Sequence, residues 1–146
     1  MLEPRNPHFK EEVSASFAKL ALMHTIGARL VRVSPGEVEI ELPFRDDLTQ
    51  QHGFMAAAVV TAILDVACGY AAMSLMPPGA TVLTVEFKVN LLSPARGECF
   101  IARGRIVRSG RKISVCAGDV LAVSGTKEKP VATMLATMMT IIGEGE

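Results

Sequence analysis

The chain has 146 residues, with fifteen basic and fifteen acidic side chains and therefore no formal net charge. That length suits one domain with a substantial core, and an apolar fraction of 49% places it among globular rather than disordered chains. The lack of a basic excess argues against a nucleic-acid binder, and with no Trp and one Tyr there is no stacking platform for single strands.

Residues 1–10 are polar and carry Pro4 and Pro7, which predicts an irregular lead-in without the apolar segment of a secretory signal. From Glu11 to His24, Val13, Phe17, Leu20, Ala21 and Met23 recur at helical spacing, with Glu11 and Glu12 in the first turn, so one short amphipathic helix is expected. Gly27 opens a change of period. Ala28, Leu30, Val31 and Val33, then Val38, Ile40 and Leu42 set between Glu37, Glu39 and Glu41, predict a hairpin around Ser34-Pro35-Gly36 with one wet face. Residues 43–51 read as a polar loop.

The stretch from His52 to Met76 is organised as one long apolar helix. Between Phe54 and Met76 its one ionised side chain is Asp65, and Pro77-Pro78-Gly79 stops it. Apolar residues lie on all its sides, the pattern of a helix enclosed by other structure. A membrane span is disfavoured, because a central Asp costs roughly 2.5 to 3.5 kcal/mol on insertion scales and no Lys or Arg cluster flanks the helix. A core helix whose Asp65 is merely paired is the other plain reading, since buried acids are usually hydrogen-bonded.

After the stop the chain reads as four strands: Thr81–Leu92, Cys99–Val107, Ile113–Val123 and Val131–Ile142. Residues 93–97, 108–112 and 124–130 turn between them, and residues 143–146 are expected to fray. Cys68, Cys99 and Cys116 show no metal spacing and read as small core hydrophobes, so free thiols point to the cytoplasm and no metal site is expected. The expected class is α+β: residues 1–146 form one domain, a mostly meandering antiparallel sheet wrapped around the central helix. Sheet edges need cover, which predicts extension by a second copy.

This order resembles the hotdog-fold thioesterases of the PaaI-like group. The resemblance covers residues 16–142 and is carried by Leu48-Thr49-Gln50-Gln51-His52-Gly53-Phe54, the helix with Asp65, the strand from Val82 to Asn90, and Ser93-Pro94-Ala95. It implies hydrolysis of acyl-coenzyme A thioesters at a site between two subunits of a homodimer or homotetramer. Coenzyme A would then be part of the substrate, with no separate cofactor. Carried over by position, Asp65 is the general base or nucleophile, Thr84 the hydroxyl on the facing strand, Gln50 an amide that orients water, and the Ala57 backbone N–H the oxyanion donor.

The resemblance also places His52, Gly53, Glu86 and Leu91 near the ligand. The segment Arg108-Ser109-Gly110-Arg111-Lys112, followed by Ile113, falls where the coenzyme A nucleotide is met. Three cations around a glycine suit phosphate contact; a solvated hairpin tip is the plain alternative. The family histidine, nine residues before the helix acid, is replaced by Ala56, with Ala57 and Ala58 after it. That departure favours, as the alternative to an enzyme, an acyl-coenzyme A binder with little turnover. A hotdog dehydratase is weaker still without the histidine, and no dinucleotide, nucleotide-triphosphate or serine-nucleophile motif is present.

Overall fold

The computed structural model describes residues 2–143. Two short helices, α1 (Phe9–Ala18) and α2 (Ala21–Ile26), precede the hairpin of β1 (Arg29–Ser34) and β2 (Glu37–Pro43). The long helix α3 (Ala57–Met73) follows, and β3 (Thr81–Leu91), β4 (Cys99–Arg108), β5 (Ile113–Ser124) and β6 (Lys127–Ile141) complete the chain. All six strands join one antiparallel sheet in the order β1-β2-β4-β5-β6-β3. The α+β hotdog architecture expected from the sequence is thus present.

Several boundaries differ. The single helix expected over Glu11–His24 is two, because Leu20 takes extended angles (φ −82°, ψ 93°) between them, and the first helix starts inside the expected lead-in at Phe9. The long helix begins at Ala57 rather than Phe54. Met55 is drawn into a bridge with Thr49, and the Phe54 carbonyl accepts the Gln50 backbone N–H at 2.8 Å instead of a helical one, which holds these residues out of the helix. The last strand begins at Lys127, so only Gly125 and Thr126 turn the chain and Pro130 lies in the strand. It faces Leu121 at a register shift, where a proline lacking an N–H is tolerated.

The meander is also broken. β3 does not neighbour β4 but crosses to the far edge and pairs with β6. Its alternation changes face at Val85, an extra residue between the pairs Thr84–Met138 and Glu86–Thr137. Val82 and Thr84 therefore face the helix with Thr140 and Met138, and so do Phe87, Val89 and Leu91 beyond the bulge, whereas Glu86 faces outward with Thr137.

The sheet's inner face receives α3 in a trough. Val38, Gly104, Gly118 and Met134 share one rung, and the two glycines sit directly under the helix. A Cβ on Gly104 would stand 2.4 Å from the Ala67 carbonyl carbon and 2.6 Å from the Cys68 nitrogen, and one on Gly118 would meet Leu64 Cδ1 at 2.7 Å. Bare backbone is what lets helix and sheet close together. Around this contact Val60, Ile63, Leu64, Ala67 and Cys68 from the helix pack on Val38, Ile40, Leu42, Phe100, Ala102, Val120 and Ala136 from the strands. At its far end the helix is tied to the β1–β2 turn. Ser74 Oγ accepts the Gly36 N–H at 2.8 Å and donates to the Ala71 carbonyl at 2.7 Å, and Gly36 makes its turn with φ +78°.

The helix is not covered on every side, as its all-round apolarity suggested. Ala58, Thr61, Ala62, Asp65 and Val66 are fully or partly exposed at helical spacing. No helix among the described residues is long and apolar enough to cross a membrane. The two sheet edges are unlike: β1 is short, shifted in register between Leu30 and Arg32, and lined by Arg29 and Arg32 paired to Glu41, Glu37 and Glu39. β3 is eleven residues long and presents Leu83, Val85, Phe87 and Leu91 to solvent.

Candidate active site

Asp65 lies in the middle of α3 on its partly open stripe. Across from it, Thr84 Oγ1 donates to Asp65 Oδ1 at 2.7 Å. Asp65 has no cationic partner among the described residues. Burial raises its pKa above the ordinary carboxylate value, and the bond from Thr84 draws it partly back. A raised pKa makes the ionised carboxylate a stronger base, the property that proton abstraction needs.

Beside it opens a cleft of about 390 Å³ lined by Ser16, Lys19, Val66, Gly69, Tyr70 and Val82, with Asp65 and Thr84 on its wall. Asp65 is thus hydrogen-bonded, as a partly buried acid is expected to be, but to a hydroxyl rather than a cation, and it also borders open space.

A second cavity of about 420 Å³ lies over the start of the same helix, lined by Gln50, Phe54, Ala57, Leu91, Pro94 and Ala95 among others. Eight residues separate Ala57 from Asp65, roughly 12 Å along the helix axis. One chain thus does not bring the two groups together.

The helix start is built as a donor. Ala56, the N-cap, has φ −62° and ψ 138°, and no non-glycine residue among those described has positive φ, so alanine occupies this corner without strain. The Ala56 N–H donates to the Leu48 carbonyl. The Ala57 N–H finds no acceptor among the described residues, and no side chain caps the helix. The loop before it is held by Gln50: its Oε1 accepts the N–H groups of His52 (2.6 Å) and Phe54 (3.2 Å), which leaves its amide NH₂ free beside the cavity. Gly53 makes this turn with φ +85°. His52 is exposed and lines neither cavity.

The basic tip is placed differently. Gly110 is required by the turn, where a Cβ would meet the Ile113 carbonyl oxygen at 2.1 Å. Arg108, Arg111 and Lys112 have no acidic partner among the described residues, and Ser109 joins them in the turn. Thr84, Met138 and Ser114 share a rung, so the start of β5 lies two strand spacings, roughly 10 Å, from the Asp65–Thr84 pair. Ile113 is exposed at the base of the tip. The structure thus gathers Asp65, Thr84 and the basic tip at one end, and Gln50, Ala57 and Leu91 at the other. Glu86 is on the outer face, bonded to Thr137.

Sequence reasoning passed over Ser16, Lys19 and Tyr70, which wall the Asp65 cleft. Gly69, four residues after Asp65 in an otherwise strong helix, was the signal that could have pointed there. Cys68 and Cys116 are buried and Cys99 half-buried, and burial pushes all three thiols up, so they remain protonated.

A helix lying across an antiparallel sheet, with one carboxylate of raised basicity opening on a cleft, is the hotdog architecture with a candidate base in its helix. Residues 52–129 match the model of the thioesterase superfamily, and the chain belongs to that family. It is similar to a thioesterase family protein from Silicibacter pomeroyi, 48% identical, with 92% of this chain and 99% of that one covered and a TM-score of 0.91. A Halobacterium salinarum protein provisionally named an esterase is 29% identical over 112 residues, 73% of this chain and 74% of that one. The PaaI protein of the E. coli phenylacetic acid degradation operon shares the fold at 15% identity, with 92% and 94% covered and a TM-score of 0.83.

Proposed function

We propose that the chain hydrolyses acyl-coenzyme A thioesters to the free acid and coenzyme A, at a site completed by a second copy. The observation that carries this reading is Asp65: a carboxylate of raised basicity, without a cationic partner among the described residues, held by Thr84 at the edge of an open cleft. In one chain the Asp65 end and the donor end are separated, and the long open edge of β3 runs between them. Antiparallel pairing of two such edges turns one chain end for end against the other. Asp65 of one copy then meets the helix start of its partner.

Asp65 takes a proton from water as the water oxygen bonds to the thioester carbonyl carbon. The backbone N–H at the helix start, reinforced by the helix dipole, receives the oxyanion. Collapse of the tetrahedral species breaks the carbon–sulfur bond, and the proton held by Asp65 passes to the leaving thiolate. Direct attack by Asp65 on the carbonyl is the variant of this route in which water acts second. Gln50 orients the thioester or the water with its free amide group, and Leu91 borders the donor end. Arg108, Arg111 and Lys112, with Ser109, Gly110 and Ile113, meet the coenzyme A phosphates. The free thiols support the cytoplasm as the compartment.

A second reading has a specific observation behind it. Ala56 contributes only a methyl group to the helix corner where the family carries histidine, which favours acyl-coenzyme A binding with slow turnover. Thiol release from a panel of acyl-coenzyme A thioesters, measured for this chain, Asp65→Asn and Ala56→His, separates the two. Turnover by the chain and none by Asp65→Asn supports the enzyme. Turnover by Ala56→His alone, with a ligand-induced rise in Tm for the unmodified chain, supports the binder. Full activity in Asp65→Asn refutes the role given to that acid.

A further inference from the structure

Three glycines of this chain lie on or under the helix, and two of them are explained by packing: Gly104 and Gly118 would collide with the helix. Gly69 is different. It sits inside α3, where glycine weakens a helix relative to alanine, yet a Cβ there would meet only Val82 Cγ1 at 3.8 Å and Met138 Sδ at 4.0 Å, ordinary contacts. The chain's own packing does not require it to be bare. What the missing side chain leaves is floor space in the Asp65 cleft, one helical turn beyond the acid.

The far wall of that cleft is made of donors. The Tyr70 hydroxyl, on a buried residue, lies 3.0 Å from Ser16 Oγ. Two hydroxyls carry two O–H donors, and only one is used between them, so one remains. Lys19, three residues on from Ser16, adds an ammonium with no acidic partner among the described residues. Lys19 and Asp65 are the cleft's charged groups, and between them the floor is Val66, Gly69 and Val82. From Asp65 to Tyr70 the helix rises roughly 7.5 Å, the span of about six bonds of an extended chain.

We infer that this cleft is the acyl subsite and that it selects acyl groups ending in a carboxylate: the thioester carbonyl sits at Asp65, the chain lies over Gly69, and the distal carboxylate is received by Lys19 and the Ser16–Tyr70 hydroxyl pair. The inference rests on the hydrolytic reading above. An ammonium and a spare hydroxyl donor bind an anion more strongly than a methyl end, and an apolar floor excludes a polar middle.

The test compares kcat/KM for hexanoyl- and octanoyl-coenzyme A with their ω-carboxy counterparts, adipoyl- and suberoyl-coenzyme A. The ω-carboxy substrates should be preferred by about tenfold or more, the size of a charge-assisted contact, and Lys19→Glu should reverse that ratio through KM. Gly69→Ala supplies a second reading: it should keep or raise Tm, because alanine favours the helix, while lowering kcat/KM for the long substrates relative to acetyl-coenzyme A. Equal rates for both substrate classes, with hydrolysis intact, overturn this inference and leave the enzyme standing. No hydrolysis of any member overturns the hydrolytic reading instead. A Gly69→Ala variant that dissociates in light scattering assigns the bare position to the partner chain and also overturns the inference.

Discussion

Substituting Gly104 with alanine should damage stability and activity together, through one contact. The added Cβ would stand 2.4 Å from the Ala67 carbonyl carbon and 2.5 Å from its oxygen, both backbone atoms of the helix that cannot rotate aside. Reaching ordinary contact requires α3 to move away from β4 by about 1 Å, and overpacking of this kind costs up to about 3 kcal/mol. The gain from a stiffer unfolded chain returns less than about 1 kcal/mol. A net loss of about 2 kcal/mol in a domain of this size lowers Tm by roughly 4–8 °C. Ala67 and Cys68 lie just beyond Asp65, so the same displacement stretches the 2.7 Å bond to Thr84 beyond hydrogen-bond range. Misplacement on that scale costs about a hundredfold in rate. Calorimetry and thiol release on one preparation measure both effects. A Gly104→Ala protein with unchanged Tm and unchanged kcat would refute the claim that bare backbone at this rung seats the helix.

Three further outcomes are expected. Thr84→Val keeps the shape but removes the hydroxyl that lowers the Asp65 pKa, so kcat/KM should fall roughly 10- to 100-fold, as for loss of a bond to a charged group. The acid limb of its pH–rate profile should also move to higher pH; an unmoved limb contradicts the assignment of Asp65 as base. In the fold the Asp65 pKa lies above its ordinary 3.8, so the protein is favoured with this acid neutral and loses that advantage as pH rises through the folded value. Asp65→Asn should therefore show a higher Tm than the parent at neutral pH, with the gap closing below pH 3.8. Val85→Lys, at the bulge of the open edge, should yield a single chain by light scattering, with native circular dichroism and no hydrolysis. A fully active single chain would exclude a shared site.

Much of the architecture was legible because it rests on local pattern. The lone charge in an apolar helix, the Pro77-Pro78-Gly79 stop and the alternation of Val38, Ile40 and Leu42 are each confined to a few residues. The placement of β3 beside β6 was not, because strand order is set by contacts distant in sequence. Nor was the face of Glu86, which one extra residue at Val85 reverses without altering composition. The helix start was misjudged because the Phe54 carbonyl, which would have opened the helical ladder, accepts the Gln50 backbone N–H within the preceding loop instead. Asp65 was visible as an anomaly, whereas Ser16, Lys19 and Tyr70 enter its cleft only once α1 has folded against α3, a tertiary event without a local signature.

The inequality of the two sheet edges bears on how far this chain can polymerise. A strand edge that accepts a neighbour is a risk when both borders of a sheet are open, since chains can then add without limit. Here the β1 border is bulged and salted with paired arginines and glutamates, and only β3 is long and apolar. Joining two β3 borders consumes both reactive edges at once and leaves charged ones outside. Growth along the hydrogen-bonding direction ends there, so the feature that invites self-association also terminates it before a fibre can form.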